Sequence, residues 1–491
     1  MNAFVLRRAR IVELGRRPGW QGPVDVLVEA GVVREVGHDL DRPAGLDEFD
    51  ADGRWLIPGL WDQHVHLGQW TANRDRLDLA GTESPEDAVA RVRRVAAART
   101  RPLVAWGHRT GLWNRDPTVA ELDEAAPDVP VFLISGDGHH AWVNSRGLTA
   151  LGLAPRDEIV TENEWFDSHA RLAEIAPPDL SPAAYATTLR DAAALGVTGL
   201  VDLEFGAAPD AWVDRPTPLR VRTATYADGL DAVIDAGLRT GAELAGPLVT
   251  MGPLKIISDG SLNTRTAWCC EEYDDGSGAG APNQSDAELV ALLAEATAHG
   301  LEVATHAIGD RAVTAALDAY ETTAARGSIE HAQLLTRPDV RRLARLGLRA
   351  SVQPAHLLDD RDVTELVWSD RADRCFAFRW MLDAGVRMAF GSDAPVSPLD
   401  PWLAVAAAVH RSADERPAWH PEQAIGPREA LAASVDGQGS VHAGMRADLV
   451  LVDADPLAEG TAEQQAQRLR EMPVAVTWVA GQAVHGGLPH P

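Results

Sequence analysis

The chain has 491 residues, 24% of them charged, a formal net charge of −27 at neutral pH and three cysteines. That length can bury a large core and permits one α/β barrel with an accessory domain as readily as three small units, while the acidic balance argues against nucleic acid or an anionic membrane as partner, since both select clustered Lys and Arg. Cys269, Cys270 and Cys375 make no disulfide framework, no run of about 18 apolar residues reads as a membrane span, and MNAFVLRRARIVELG has no sustained apolar core of a signal peptide, so the expected location is the cytoplasm, the expected partner a small-molecule substrate, and a homodimer is the association considered.

Residues 1–57 show short alternating strands, FVLRRARIVEL and VDVLVEAGVVREVG among them. The segment 436–491 is β-rich as well, and the two ends are expected to combine into one β-sandwich domain. Between them, residues 58–435 read as a barrel. Its first strand is LIPGLWDQHVH, followed by an insertion over 70–180 that reads as a lid or specificity element. From about residue 180 one grammar recurs: a helix with a start signal, a glycine stop and a short apolar strand. Ser181-Pro182 opens a helix that stops near Gly196 before VTGLVDLE. Next come LRVRTATY and LKIISDG. Ser285 with Glu288 forms a capping box, and Gly300 ends that helix before LEVATH. Asp310 in IGDRAV reads as a helix N-cap. GSIEH follows, then a helix opened by Pro338 that stops at Gly347 before LRASVQP, and a last one that stops at Gly385 before VRMAFGSD. Eight apolar strands alternating with helices imply parallel β/α units with right-handed crossovers, a closed (β/α)8 TIM barrel of the α/β class.

Lys255 is the only lysine; every other basic residue among the 45 is arginine. Arginine serves wherever a positive charge is enough, but it cannot shed its proton and react. A single retained lysine inside the apolar run LKIISDG therefore points to covalent or metal chemistry. His64 and His66 alternate along a strand, so both leave the same face about 6.6 Å apart. His306 ends the fifth strand, His331 the sixth and Asp393 the eighth, with Lys255 in the fourth. Strand carboxyl ends converge on one mouth of such a barrel. Four His, one Asp and one Lys meeting there form a metal-ligand set suited to zinc, as one ion or two. An enclosed, electropositive site lowers the lysine pKa, and the neutral amine can take up carbon dioxide as a carbamate, a carboxylate able to bridge two ions.

These motifs resemble the amidohydrolase superfamily and, within it, the YtcJ-like branch that includes N-substituted formamide deformylases. The likeness runs through IPGLWDQHVHLG, SGDGHHAWVNSRGL, LKIISDGSLNTRTA, THAIGDRAV, IEHAQ, GSDAPV and HAGMRADLVLVDADPL. It implies His64, His66, Lys255, His306, His331 and Asp393 as ligands. The reaction expected is metal-assisted hydrolysis of a non-peptide C–N bond, N-substituted formamides among the substrates, with a water of lowered pKa attacking the carbonyl and Asp393 shuttling its proton to the leaving nitrogen.

His139, in DGHHAWVNS, is the candidate contact to the substrate carbonyl, weighed against a histidine hydrogen-bonded within the insertion. Fifteen tryptophans against four tyrosines is an unusual balance, and Trp70, Trp113, Trp142 and Trp268 lie near motif segments. They are candidates to line an apolar pocket, weighed against plain core packing. N-acyl amino acids, lactams and esters are the alternative substrates, and a non-catalytic scaffold of the same fold the remote one.

Overall fold

The computed structural model describes residues 3–487 apart from 16–18, 42, 44, 75, 98, 111–112, 137, 139 and 207–208. The chain folds as two units, one of residues 1–67 with 186–491, the other of residues 68–185.

In the first unit, eight parallel strands follow one another in chain order: Leu60–Val65, Val197–Asp202, Arg220–Thr225, Val249–Ile257, Val303–Ala307, Gly327–His331, Arg349–Val352 and Arg387–Phe390. Two are buried along their whole length and others along nearly all of it, which accounts for their largely apolar reading. The sheet closes between its eighth and first members. The Asp393 N–H donates to the His64 carbonyl at 2.7 Å and the His66 N–H to the Ala394 carbonyl at 2.9 Å. Gly391 lies at this seam because a Cβ there would sit 2.6 Å from the His64 nitrogen. The intervening helices start as their sequences suggest. Ser285 and Glu288 cap Asp286–Ala298 reciprocally, with Leu289, Leu293 and Ala296 buried, and Gly347 ends Arg337–Leu346 at φ +67°. Asp310 departs from its expected role. Gly309 is the N-cap of Asp310–Thr323, while the Asp310 carboxylate accepts the Cys270 N–H at 2.8 Å and pairs with Arg374 at 3.3 Å.

A second sheet of the same unit takes strands from both chain ends. It runs Gln482–Gly486, Val474–Val479, Leu449–Val452, Trp55–Pro58, Phe4–Ile11, Val24–Glu29 and Val32–Gly37, with Asp47–Asp50 also paired to Phe4–Ile11. The run LIPGLWDQHVH is thus two strands in two sheets. Gly59 divides them, its N–H bonded to the Asp448 carbonyl at 2.8 Å, and a Cβ there would lie 2.0 Å from Thr198 Oγ1. Phe4, Leu6, Val26, Leu449, Leu451 and Trp478 fill this sheet's core.

The second unit is a five-stranded sheet in the order Val160–Thr161, His140–Val143, Val131–Ser135, Leu103–His108, Leu77–Asp78, accompanied by the helices Pro85–Ala96, Val119–Ala125, Ser145–Leu151 and Glu162–Ile175. None of the described helices is long and apolar enough to cross a membrane.

Candidate metal centre

His64 stands at the carboxyl end of the first barrel strand and is 1% exposed. Its Nδ1 lies 2.7 Å from Glu330 Oε2, and Glu330 Oε1 accepts the Ser328 hydroxyl at 2.5 Å. A carboxylate on Nδ1 fixes the proton there and turns the Nε2 lone pair outward. Nε2 faces Lys255 Nζ at 3.4 Å and Asp393 Oδ1 at 3.3 Å. Burial, then the Lys255 charge, pushes the His64 pKa down to about 4, against the pull of Asp393 and Glu330. The ring is therefore neutral, the form that binds cations. Burial opposes ionisation of Glu330, yet the hydrogen bond and charge of His64, together with Lys255, hold its pKa at about 2.

Asp393 Oδ1 is also 3.3 Å from His66 Nε2. Burial disfavours its charge, but His64, His66 and His331 outweigh that and keep its carboxyl well below the usual range. One ligand atom each from His64, His331 and Asp393 falls within 4.8 Å of the others. The His306 ring meets His331 edge-on at 4.5 Å. Its Nε2 donates to the Gly260 carbonyl at 3.2 Å, which leaves the lone pair on Nδ1. Lys255 is 2% exposed, and burial lowers its pKa against the opposing charges of Glu330 and Asp393.

The strand ends are bent to make this cluster. His331 has φ +67°, Ala332 +44° and Asp393 +57°, left-handed values that cost of order 1–3 kcal/mol each and persist where the surroundings over-determine them. Part of that framework comes from two buried aspartates. Asp62 Oδ1 accepts the backbone N–H of both His64 and Ser392 at 3.0 Å, pinning strand one to strand eight. Asp259 accepts the N–H groups of Ile308, Gly309 and Trp268 at 3.1, 2.9 and 2.9 Å, fixing the loop after His306.

The residues present fit a cation. Imidazole and carboxylate donors of His64, His331 and Asp393 converge, and the buried Nδ1 atoms of His66 and His331 have no hydrogen-bond partner, which an ion or water at the site would account for. Below this cluster the barrel encloses a cavity of about 380 Å³ lined by Gln63, Arg222, Glu302, Glu330, Arg349 and Asp436, among others.

The six expected ligands thus sit on five barrel strands or just past their ends, and one seam gathers three of them. His139 lies outside the described residues. The pocket reading is corrected for two tryptophans. Trp142 is fully buried and its indole N–H donates to the Thr118 carbonyl at 2.8 Å. Trp113 meets it at 6.0 Å and donates to the Thr82 carbonyl at 2.9 Å. Both belong to the core of the second unit, because a large ring with a satisfied N–H is most stable inside. Trp70 is half-buried on the helix Leu67–Asn73. Trp268, also half-buried, packs on the barrel core beneath Arg311, 5.4 Å away.

Glu330, Asp62, Asp259 and His356 are the residues that sequence reasoning passed over. Each adjoins a motif already read, in SIEHA, WDQHVH, SDGS and VQPAH. His356 follows the seventh strand, so the rule that strand ends converge would have found it.

A buried cluster of His and Asp at the mouth of an eight-stranded parallel barrel has the donor chemistry of a metal site. The model of the amidohydrolase family matches residues 47–485, and the chain belongs to that family. Within it the chain is YtcJ-like. It is 27% identical to the YtcJ protein of Bacillus subtilis, over 94% of this chain and 95% of that one. It is also 27% identical to the N-substituted formamide deformylase of Arthrobacter pascens, over 93% and 94%. A metal-dependent hydrolase of Pyrococcus horikoshii superposes with a TM-score of 0.77 at 26% identity, covering 93% of this chain and 98% of that one.

Proposed function

We propose that this protein hydrolyses non-peptide C–N bonds, with N-substituted formamides as the first substrate class to test. The observation that carries the reading is the placement of Asp393: its carboxylate comes within 3.3 Å of His64 and of His66 through Oδ1 and within 3.9 Å of His356 through Oδ2. The carboxylate thus reaches both the cluster and a histidine outside it, a placement suited to holding an ion and passing a proton. The full-length likeness to a formamide deformylase supports the substrate class.

His64, His66, His306, His331 and Asp393 would hold zinc, one ion or two, with Lys255 as a carbamate. Burial favours the neutral Lys255 amine, which attacks carbon dioxide, forms an N–C bond and releases one proton. Arginine has no such route. When bound, zinc polarises the carbonyl and lowers the pKa of water to about 7. Asp393 takes the proton of the attacking water on Oδ2. The C–N bond then breaks with its electron pair on nitrogen, and Asp393 returns the proton there. Glu330 keeps His64 in one tautomer throughout.

The experiment is formate release from N-benzylformamide by the zinc-loaded chain, with the N-acetyl and N-acyl-amino-acid analogues alongside. Faster release of formate than of acetate supports the class. No formate from fully metallated protein overturns it and moves the search to lactams and esters.

A further inference from the structure

His356 begins the helix His356–Val367, just past the seventh barrel strand. It is 8% exposed, and its Nε2 is buried without a hydrogen-bond partner. The ring lies nearly parallel to that of His331, with centroids 6.2 Å apart and 22° between planes. Nε2 is 3.9 Å from Asp393 Oδ2, while Oδ1 is the oxygen nearest to His64 and His66. That gap is too long for a hydrogen bond. It is the width bridged by one atom about 2.9 Å from each side, the ordinary hydrogen-bond length, and such an atom sees Nε2 and Oδ2 close to a right angle apart.

A nitrogen of an amide presents that pair of directions. Its N–H lies in the amide plane, and the lone pair that develops as the carbonyl carbon becomes tetrahedral stands out of it. We propose that His356 is a substrate-contacting residue that accepts the N–H of the scissile amide and so selects amides carrying hydrogen on nitrogen over N,N-disubstituted amides and esters. The inference rests on the amide-hydrolase reading above. With the proton of His356 on Nδ1, Nε2 holds the substrate N–H and the nitrogen lone pair faces Asp393 Oδ2. When the C–N bond breaks, the electron pair stays on nitrogen and the proton held by Asp393 joins it. His356 gains and loses nothing.

The test compares N-benzylformamide with N-benzyl-N-methylformamide and benzyl formate, which lack the N–H, using zinc-loaded wild type, His356→Ala and His356→Gln. The Gln variant keeps an acceptor oxygen near the Nε2 position. In His356→Ala, kcat/KM for N-benzylformamide should fall about 10- to 100-fold, the effect of one buried hydrogen bond left unmade, while the other two change less than about threefold; His356→Gln should recover part of the loss at unchanged zinc content. Where a comparison compound is not turned over, its inhibition constant replaces kcat/KM. Equal losses on all three compounds, or no loss on the secondary formamide, would overturn the role given to His356 and leave the hydrolase reading standing. Zinc-loaded wild type that turns over none of the three overturns the formamide reading, and this one with it.

Discussion

The backbone carbonyl of His64 accepts the N–H of Asp393 at 2.7 Å, and the side chains of the same two residues approach to 3.3 Å. Barrel closure and assembly of the ion site are therefore one contact. A cation held between these side chains draws together the first and last barrel strands, which lie more than three hundred residues apart in the sequence. Metal that binds only the folded state stabilises it by mass action, so its removal should lower the thermal midpoint and raise hydrogen exchange first along Leu60–Val65 and Arg387–Phe390. Uniform exchange across all eight strands would contradict the seam as the weak point.

Asp393→Asn keeps the shape and removes the proton acceptor. Turnover should drop about 10²–10⁴-fold, the usual contribution of a positioned acid-base group, with circular dichroism unchanged. Activity within tenfold of wild type would remove Asp393 from the chemistry.

Lys255→Arg preserves charge and loses the reactive amine. Zinc content should fall together with activity, and carbon-13 spectra of bicarbonate-treated wild type should show a carbamate resonance that the variant lacks. A fully metallated, active variant would sink the carbamate assignment.

Glu330→Gln leaves a hydrogen-bonding group at His64 Nδ1 but no charge. Loss of such a supporting carboxylate weakens metal binding about 10–100-fold, readable by competition with a chelator. An unchanged affinity would mean that packing alone orients the His64 ring.

Asp202 is buried, and that burial, with the Glu204 charge, raises its pKa from 3.8 to about 7. A carboxyl with a raised folded pKa binds its proton more tightly in the native state, so its stabilising effect is complete below 3.8 and is lost as pH rises toward 7. In metal-stripped protein, Asp202→Asn should therefore gain stability relative to wild type on going from pH 4 to pH 8, by urea titration at each pH. A difference between the two proteins that does not vary with pH would rule this out.

The eight barrel strands were legible because each is short and bounded by a glycine or a helix start, and the candidate ligands because His and Asp at several strand ends share one mouth. What stayed hidden depended on tertiary neighbours. The break at Gly59 is set by Thr198, far along the chain. Asp310 resembles an N-cap, yet its carboxylate serves Cys270 and Arg374 from a distant loop and turn. Trp113 and Trp142 lie close to motif segments, but only packing shows that their indoles are spent inside a core. Glu330 could not be assigned from sequence because nothing local tells a strand carboxylate to reach His64 on another strand.

Lys255 is the one lysine of the chain and is 2% exposed. Within this sequence, then, no lysine ammonium is offered to the solvent, and reagents that acylate or cross-link amines have only the terminal amine to attack while the fold is intact. Opening of the barrel would uncover a second target at a known position. The mass gained on brief acylation therefore reports, molecule by molecule, whether the mouth of the barrel is shut, without any label having to be engineered into it.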